Sequence, residues 1–259
     1  MRLGASAGVK PILLGPGEGE IVRDRPESFL QIKAGLDELA LTEFRYAAGQ
    51  RGPALHIHRE HVDAFWVLDG QLVVELAGER VTAPAGSFVL VPTEVVHTFR
   101  NEGPGYARFL NIHAPSKGFH RYIRGEEVNF DQLEPPPDGG RPASEAVVRQ
   151  PDEGKALGIG SGRTVVKAGR HDGGGRLALM ETTLPAGAPG PPLHRHPETL
   201  DSFYVLDGTL TVHLADRTVD AGPGTYALAP AGVVHGFSNP TEEPVRMLNL
   251  MVPGGLEPA

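Results

Sequence analysis

The histidines of this chain have a spacing that suits metal binding. Two pairs with one residue between their members, His56/His58 and His194/His196, occur in stretches of β-strand composition. Side chains alternate between the two faces of a strand, so the imidazoles of each pair should project from the same side. A strand can in this way offer two nitrogen ligands to one ion. We therefore expect each pair to contribute to a metal site.

Each pair is followed by a third histidine, His97 or His235, and the set of three repeats along the chain. The position differences 194 − 56, 196 − 58 and 235 − 97 all equal 138. Similarity at a fixed offset indicates an internal duplication. Duplication explains why the halves are alike, whereas a histidine trio kept while the residues around it diverged indicates a site. The sequence predicts one divalent metal ion in each half.

An aspartate follows each pair at the same distance, Asp63 in the first half and Asp201 in the second. A regular strand would put Asp63 on the opposite face from His58, so a bend between them is expected. Glu60 and Glu198 are alternative carboxylate ligands. The chain has no cysteine, which restricts metal ligands to histidine and carboxylates.

The remaining composition predicts an all-β protein with two domains. At 259 residues the chain suits two domains, each of about 130 residues. Short β-branched runs separated by turn residues recur, whereas segments with helical periodicity are scarce. A short helix is predicted at 119–124, followed by a Pro/Gly-rich linker at 133–142. The predicted domains are residues 1–140 and 141–259.

Asp-Gly dipeptides join two β-rich runs in each half, at Asp69–Gly70 and Asp207–Gly208. A type I′ turn needs positive φ at both central residues, which Asp-Gly tolerates well. The dipeptides therefore predict tight hairpins, and both aspartates are interpreted as turn residues.

Charge and hydropathy argue against several classes of partner. The formal net charge of −8 disfavours nucleic acid as a partner. No segment approaches the roughly 18 apolar residues of a membrane span, and residues 1–8 lack the apolar run of a signal peptide. These features predict a cytoplasmic protein without a nucleic-acid or membrane partner, and a monomer or a homodimer is expected.

By these motifs the chain resembles the bicupins, which carry two cupin-type β-barrels in one polypeptide. The first cupin motif is H-x-H with a later acidic residue and glycine, and the second is G-x5-P-x-G-x2-H-x3-N. Matching residues are His56, His58, Asp63 and Gly70, then His194, His196, Asp201 and Gly208, for the first motif, and Gly86, Pro92, His97 and Asn101, then Gly224, Pro230, Gly232, His235 and Asn239, for the second. The resemblance implies two tandem jelly-roll barrels (double-stranded β-helices), each with its own metal.

The chain departs from the family pattern at two kinds of position. Both halves have Asp where the family usually has a Glu ligand, so Asp63 and Asp201 either bind the metal directly, bind through water, or leave three histidines to hold it. In the first half, Glu94 replaces the glycine of the second motif. Positive φ would cost a glutamate roughly 1–2 kcal/mol, so a different turn type is expected there.

The resemblance implies a metal-dependent oxygenase similar to quercetinase-type dioxygenases, acting with O₂ on a small enolisable or phenolic metabolite. Asp63 and Asp201 are the candidate catalytic groups, because a carboxylate that is not bound directly can act as a general base. The ligand set suits Fe, Mn, Ni, Zn or Cu without distinguishing among them. Two alternatives stay open: a redox-neutral isomerase, cyclase or lyase, and a non-catalytic protein that binds a metal or a small molecule.

Three further features have structural interpretations. His61 has Thr199 as its counterpart and is interpreted as a rim residue. His113 is interpreted as a hydrogen-bonded strand histidine, with a role as a cavity acid or base as the alternative. Asn111 and Asn249, which also repeat at the offset of 138, are interpreted as structural.

Overall fold

A computed structural model describes residues 9–158 and 162–255 of the chain, so the N-terminal residues 1–8 lie outside the described part. The chain divides into two compact units. The unit called here the N-terminal barrel comprises Gly19–Glu153 and Arg170–Arg176, and the C-terminal barrel comprises the described residues before Gly19, those of Gly154–Gly169 and those from Leu177 onward. The predicted domains 1–140 and 141–259 differ from these units in 9–18, 141–153 and 170–176.

The regular secondary structure of the described residues is almost entirely β-strand, which confirms the predicted fold class. In chain order the strands are β1 (Ile12–Leu14), β2 (Glu20–Asp24), β3 (Ser28–Gly35), β4 (Ala40–Tyr46), β5 (Val62–Asp69), β6 (Gln71–Leu76), β7 (Glu79–Pro84), β8 (Phe88–Val91), β9 (His97–Arg100), β10 (Ala107–Ala114), β11 (Val147–Arg149), β12 (Lys155–Leu157), β13 (Arg163–Ala168), β14 (Ala178–Leu184), β15 (Leu200–Asp207), β16 (Leu210–Leu214), β17 (Arg217–Ala221), β18 (Tyr226–Ala229), β19 (His235–Ser238) and β20 (Val245–Val252). The predicted short helix is present as α1 (Phe119–Arg124), and two 3-10 helices span Ala143–Glu145 and Asp172–Gly175. None of the described helices has the length and apolar character needed to cross a membrane.

Each barrel is built from a seven-stranded sheet and a three-stranded sheet. In the N-terminal barrel the orders are β11-β8-β5-β10-β4-β3-β2 and β7-β6-β9. In the C-terminal barrel they are β1-β18-β15-β20-β14-β13-β12 and β17-β16-β19. All the strand pairings are antiparallel. The same order recurs in both barrels, as a duplicated jelly roll requires.

Aromatic side chains hold the large and small sheets of each barrel together. Phe65 on β5 contacts Phe99 on β9 with ring centroids 4.8 Å apart. In the C-terminal barrel Phe203 on β15 makes the same contact with Phe237 on β19, at 5.2 Å. Because strand side chains two residues apart share a face, Asp63 points to the same interior as Phe65. This packing directs the face of β5 that carries Asp63 towards β9, the strand that begins at His97.

The Asp-Gly dipeptides do not form the predicted hairpins. β5 pairs with β8 and β10, whereas β6 pairs with β7 and β9, so the dipeptide joins strands of two different sheets. Only the glycines have positive φ, 70° at Gly70 and 75° at Gly208. A Cβ on Gly70 would lie 2.3 Å from the carbonyl oxygen of Tyr106. Glycine is therefore needed here for a close backbone approach at a barrel corner, not for a type I′ turn.

A tight hairpin that the sequence does not predict is found one strand later. Ala77 and Gly78 connect the paired strands β6 and β7, with φ values of 45° and 88°. Positive φ at both central positions is the requirement of a type I′ turn. The turn lacks the Asp-Gly or Asn-Gly residues that usually reveal it.

The turn before β9 also differs from expectation. Glu94 adopts a φ of 66°, close to the 83° of its counterpart Gly232, so the expected change of turn type is wrong. The reason is a shared hydrogen bond: the N–H of Glu94 donates to the carbonyl of His58 at 2.7 Å, and that of Gly232 donates to His196 at 2.7 Å. This hydrogen bond connects the turn to the second histidine of the pair. Glu94 adopts a left-handed backbone because the bond requires that conformation.

Replacing Glu94 with glycine should therefore stabilise the N-terminal barrel. The left-handed conformation costs an L-residue about 1–2 kcal/mol, and the extra freedom of glycine in the unfolded chain offsets about 0.4–1 kcal/mol of that gain. We expect Glu94→Gly to raise the free energy of unfolding by about 0.5–1 kcal/mol in urea denaturation. The reverse change, Gly232→Glu, should lower it, and a Glu94→Gly variant less stable than the wild type would contradict this account.

Candidate metal centres

Four buried side chains of the N-terminal barrel converge on one point. The imidazoles of His56, His58 and His97 and the carboxylate of Asp63 each offer one donor atom, and these atoms lie within 4.8 Å of one another. All four residues are buried. The fold thus brings together the first of the two predicted ligand sets.

Backbone contacts fix the direction of the histidine rings. His56 and His97 form an antiparallel bridge in which each N–H donates to the carbonyl of the other, at 3.1 and 2.9 Å. Nδ1 of His56 contacts the carbonyl of Ala54 at 2.8 Å, and Nδ1 of His97 contacts that of Val95 at 2.9 Å. A carbonyl can only accept, so each Nδ1 carries the proton and each Nε2 keeps its lone pair.

Two of the three ring nitrogens that face the cluster have no hydrogen-bond partner within the described residues. Nε2 of His58 and Nε2 of His97 are buried and accept no hydrogen bond there. Buried polar atoms are nearly always paired, and an unpaired one costs about 1–3 kcal/mol. Two unpaired nitrogens beside a carboxylate are explained if all of them bind a cation. This donor set therefore fits a divalent metal.

The position of the Asp63 carboxylate agrees with that interpretation. Its Oδ2 is 3.4 Å from Nε2 of His97 and 3.9 Å from Nε2 of His58, longer than good hydrogen bonds. Ligands about 2.1 Å from one ion are separated by roughly 3.0–3.4 Å. The other oxygen, Oδ1, accepts a short hydrogen bond of 2.5 Å from Nδ2 of Asn111, which fixes the plane of the carboxylate.

The expected bend between His58 and the acid is present at residues 59–61. The carboxylate of Asp131 holds it, because it accepts the backbone N–H groups of Arg59 at 3.1 Å and Glu60 at 2.7 Å. The same carboxylate accepts Nδ1–H of His61 at 2.9 Å, and the backbone carbonyl of Asp131 accepts Nδ1–H of His58. Asp131, which lies in the chain between the two histidine sets, thus holds both the bend at 59–61 and the ring of His58 in place.

The assignment of His61 to the rim is wrong, since the residue is fully buried. Its Nε2 contacts Nδ1 of His113 at 2.9 Å, and Nε2 of His113 contacts Oδ1 of Asn111 at 3.0 Å. Helix α1 closes this side, because Phe119 stacks on His113 with ring centroids 3.7 Å apart. A continuous chain of polar contacts therefore runs from Asp131 through two histidines to the asparagine that holds the carboxylate.

His58, His61 and His113 also offer nitrogens within 4.8 Å of one another. The hydrogen bonds just described already engage Nδ1 of each of the three rings. This trio is therefore explained without a second ion. The alternative carboxylates are also placed elsewhere: Glu60 is exposed and pairs with Lys117, and Glu198 is exposed.

The C-terminal barrel repeats the first cluster. Donor atoms of His194, His196, Asp201 and His235 lie within 4.8 Å of one another. Oδ2 of Asp201 is 3.2 Å from Nε2 of His235 and 3.5 Å from Nε2 of His196, and the latter nitrogen is a buried atom without a hydrogen-bond partner in the described part of the chain. Asn249 donates to Oδ1 of Asp201. Both asparagines thus position the acids, a more specific role than the structural one expected from the sequence.

The two centres differ in their surroundings. His194 and His196 are partly exposed, whereas their counterparts His56 and His58 are buried. Nδ1 of His194 contacts the carbonyl of Pro192 at 2.8 Å and Nδ1 of His235 that of Val233 at 2.9 Å, so the ring orientation is kept. The chain of polar contacts is not repeated, since Thr199 and Met251 replace the two histidines.

The environment sets the charge of the ligands in the N-terminal barrel. Burial, together with the neighbouring His97 and His58, lowers the pKa of His56 to about 3. Burial opposes ionisation of Asp63, but the nearby His113 and the contacts with His58 and His97 outweigh it and hold its pKa well below the usual range. The acid is therefore a carboxylate and His56 a neutral imidazole at neutral pH, the forms that bind metal.

The C-terminal barrel has a different balance. Burial disfavours the imidazolium form of His235, but the Asp201 carboxylate and the Val233 carbonyl outweigh it and raise the pKa of His235. Burial also opposes ionisation of Asp201, yet its contacts with His196 and His235 lower its pKa. A proton therefore competes for a ligand of this site at higher pH than it does for His56.

A cavity of about 280 Å³ in the N-terminal barrel reaches the cluster. Its inner end is formed by His56, Asp63, Asn111 and His113, all buried. The volume is at the small end of the range for ligand sites, about 300–1,000 Å³. The candidate metal centre of this barrel is thus open to a small molecule.

Acidification should remove metal from the C-terminal site first. The pKa of His235 is raised and His194 and His196 are partly exposed, whereas all three N-terminal histidines are buried and the pKa of His56 is lowered to about 3. We therefore expect protons to displace the C-terminal ion at higher pH. Metal per chain would be measured after dialysis between pH 7 and pH 4 in His97→Ala, which keeps the C-terminal site, and in His235→Ala, which keeps the other. Loss at higher pH from His235→Ala than from His97→Ala would contradict the prediction.

Removing the Asp131 carboxylate should weaken metal binding in the N-terminal barrel alone. Burial opposes its ionisation, but His61 and the N–H groups of Glu60 and Arg59 lower the pKa of Asp131 to about 2, so a charged group is lost from the bend. Groups that orient metal ligands are typically worth about 10–100-fold in affinity. We expect a loss of at least about tenfold for Asp131→Ala, measured by competition with a chelator.

Asp138→Ala is the matched control for this experiment. Asp138 lies in the same segment, and its carboxylate accepts a hydrogen bond from the N–H of Gly140 at 3.2 Å. This variant should bind metal like the wild type, as should the C-terminal site of both variants. Equal affinities of the N-terminal site in Asp131→Ala and Asp138→Ala would show that the bend does not depend on Asp131.

Comparison with known proteins agrees with this architecture. The Cupin domain family (Cupin_2) matches residues 42–113 and 180–252, and each region contains one complete ligand set. The chain is 24% identical over 288 aligned residues to quercetin 2,3-dioxygenase of Bacillus subtilis (strain 168), spanning 96% of this chain and 84% of that protein.

Similar solved structures include AerE from Microcystis aeruginosa, with a TM-score of 0.66, 11% identity and coverage of 93% of this chain and 98% of that chain. The Lactobacillus farciminis oxalate decarboxylase formate complex has a TM-score of 0.67, 13% identity and coverage of 94% and 86%. At these identities the structural likeness shows the fold alone, but the two family matches establish that the chain belongs to the Cupin domain family, as a bicupin with one candidate metal centre in each barrel.

Proposed function

We propose that this protein is a metal-dependent bicupin oxygenase, a quercetinase-like dioxygenase acting on a small enolisable or phenolic metabolite. The observation that carries the proposal is the cavity of the N-terminal barrel, which ends on His56 and Asp63 of a buried ligand set. Similarity to quercetin 2,3-dioxygenase of Bacillus subtilis supports the reaction type. The predicted cytoplasmic location and the monomeric or homodimeric state stay predictions.

The side chains around the cluster suit a substrate with an acidic hydroxyl. Asp63 is ionised, and its Oδ2 lies on the side of the histidine nitrogens, 3.4 Å from Nε2 of His97. A carboxylate in this position can accept the proton of an enol or phenol that reaches the inner end of the cavity. Asn111 holds Oδ1 and so keeps Oδ2 turned towards that end.

The chain supplies binding and proton transfer, and the ion supplies the remaining chemistry. When bound, a divalent transition metal would provide Lewis acidity and, if redox-active, a route for electrons between substrate and O₂. His56, His58 and His97 would hold it, with Asp63 as a fourth ligand when its carboxylate is not engaged as the base. The buried walls exclude bulk water from the deprotonated substrate. A dioxygenase places both atoms of O₂ in its product, so no further reductant is required.

The geometry favours turnover in the N-terminal barrel. His194 and His196 are partly exposed, so the C-terminal cluster gives less shielding from water than the buried N-terminal one. Asp201 is retained as the corresponding candidate base of the C-terminal barrel. We infer that the C-terminal site contributes less to turnover.

Oxygen uptake with single-site variants tests the proposal. In metal-loaded protein assayed with a panel of phenols and enolisable ketones, His97→Ala should lose at least about 100-fold of the activity, because it removes a ligand of the N-terminal site. His235→Ala should lose the C-terminal ion but keep most of the activity.

Metal analysis of both variants controls for occupancy, and each is expected to retain one ion per chain. Equal turnover of a substrate under anaerobic conditions would favour the redox-neutral isomerase, cyclase or lyase instead. Substrate binding without any turnover would favour the non-catalytic binding protein. Full O₂ uptake by His97→Ala would remove the assignment to the N-terminal barrel.

A further inference from the structure

The N-terminal cavity changes chemical character from its inner end to its opening. Its inner end carries metal-ligating and polar groups, and its walls are aromatic. On one wall Tyr46 stacks on Phe99 with ring centroids 6.0 Å apart, and on the other Phe130 contacts Phe119 at 5.3 Å and Tyr122 at 4.8 Å. These distances join rings within one wall, and the presence of aromatic side chains on both walls suits a flat, apolar body between them.

The outer end of the cavity is positively charged. Arg23 and Arg51 line the cavity and are both exposed, so they lie at its opening. Asp63 is the acidic residue among the lining residues, and it is buried at the opposite end. The protein side chains at the two ends therefore carry opposite charges, with aromatic walls between them. A divalent ion bound at the inner end would offset the charge of Asp63 and attract an oxygen ligand.

Neither arginine forms an ion pair with a carboxylate in the described part of the chain. Nη1 of Arg23 donates to the hydroxyl of Ser28 at 3.1 Å, which holds the guanidinium at the edge of β2. By contrast Arg124, on helix α1 nearby, is paired with Glu20 at 2.7 Å. In a chain of net charge −8, two unpaired guanidinium groups at one opening are a local site for an anion.

This charge is specific to the N-terminal barrel. At the offset of 138 Arg51 corresponds to Pro189. Strands β3 and β13 match at an offset of 134, and because Arg23 pairs with Leu30 on β3 and Leu157 with Thr164 on β13, Arg23 corresponds to Leu157. The duplicated barrel therefore keeps the ligand set but not the arginines. Because the second barrel has the same strand order without these arginines, the fold does not require them.

We propose that the N-terminal cavity binds an amphipathic anion: an oxygen-bearing end at the metal cluster, a planar apolar body between the aromatic walls, and a carboxylate or similar anionic group held by Arg23 and Arg51. Calling this ligand the substrate rests on the proposed function, whereas its binding does not. The cavity volume of about 280 Å³, at the small end of the range for ligand sites, suits a body of about one substituted ring.

A matched pair of probes tests the inference by calorimetry on the zinc-loaded full chain. The acid probe is 3-(3,4-dihydroxyphenyl)propionate, whose catechol suits the metal end, and the neutral probe is its methyl ester. Zinc has no redox chemistry, so the catechol is not consumed. The acid should bind more tightly than the ester, and only the affinity of the acid should fall as the ionic strength rises.

Arginine variants locate the effect. Arg23→Ala and Arg51→Ala should each weaken binding of the acid by about fivefold to tenfold and leave binding of the ester unchanged, because a charge-assisted hydrogen bond is lost. Arg45→Ala is the control, since this change removes the same charge from a surface site where Arg45 lies over the rings of Phe29 and Tyr106. Equal binding of acid and ester, no binding of either, or equal effects of all three variants would overturn the inference.

The result is separable from the test of the proposed function. Tight binding of the acid without O₂ uptake by iron- or manganese-loaded protein would keep the anion site and remove the oxygenase. O₂ uptake with equal affinity for acid and ester would keep the oxygenase and remove the anion site.

Discussion

The fixed orientation of the imidazole rings is the constraint on which the rest of both barrels depends. Four of the six candidate histidine ligands place Nδ1 against the carbonyl of the residue two positions earlier: Ala54 for His56, Val95 for His97, Pro192 for His194 and Val233 for His235. The repeated contact selects one tautomer and leaves Nε2 facing inwards. It is local in sequence, so it survives wherever the backbone is extended. Long-range structure then has only to bring two such segments together, which the bridges between His56 and His97 and between His194 and His235 achieve.

Closure of the barrel supplies that long-range structure, and it constrains the backbone conformation at a few positions. The strand that carries the acid must leave the large sheet and continue in the small one. Gly70 and Gly208 make this possible, because a side chain at either position would collide with a backbone carbonyl. The strain accepted by Glu94 has the same origin, since the N–H that it donates to His58 connects the turn before His97 to the first pair. The left-handed backbone of Glu94 is thus an instance of conformational strain next to the residues that form the candidate centre.

The sequence predicts the clusters well because duplication marks them. Asp63 and Asp201 each lie within hydrogen-bonding or near-contact distance of their histidines, and the expected bend after His58 is found. The misses have a common cause. Asp-Gly is a good local signal for a hairpin, but the sheet to which each strand belongs is decided by pairing far along the chain. His61 was assigned to the rim because its counterpart is Thr199, although its ring is held inside by a hydrogen bond to Asp131. That residue lies in a segment without a repeat, next to a proline-rich stretch, so neither periodicity nor comparison of the halves could reveal it.

The asymmetry between the barrels follows from where the unrepeated residues pack. The segment after β10 contributes α1, Phe130 and Asp131, which cover the side of the N-terminal centre that faces His113. Their rings form walls of the cavity, and their polar atoms brace the bend. The described residues that follow β20 include no such cover for the C-terminal centre, which agrees with the greater exposure of His194 and His196. Two copies of one ligand set thus differ in their access to solvent because one of them has an additional cover, and the rings of that cover also form one wall of the space in which a substrate would lie.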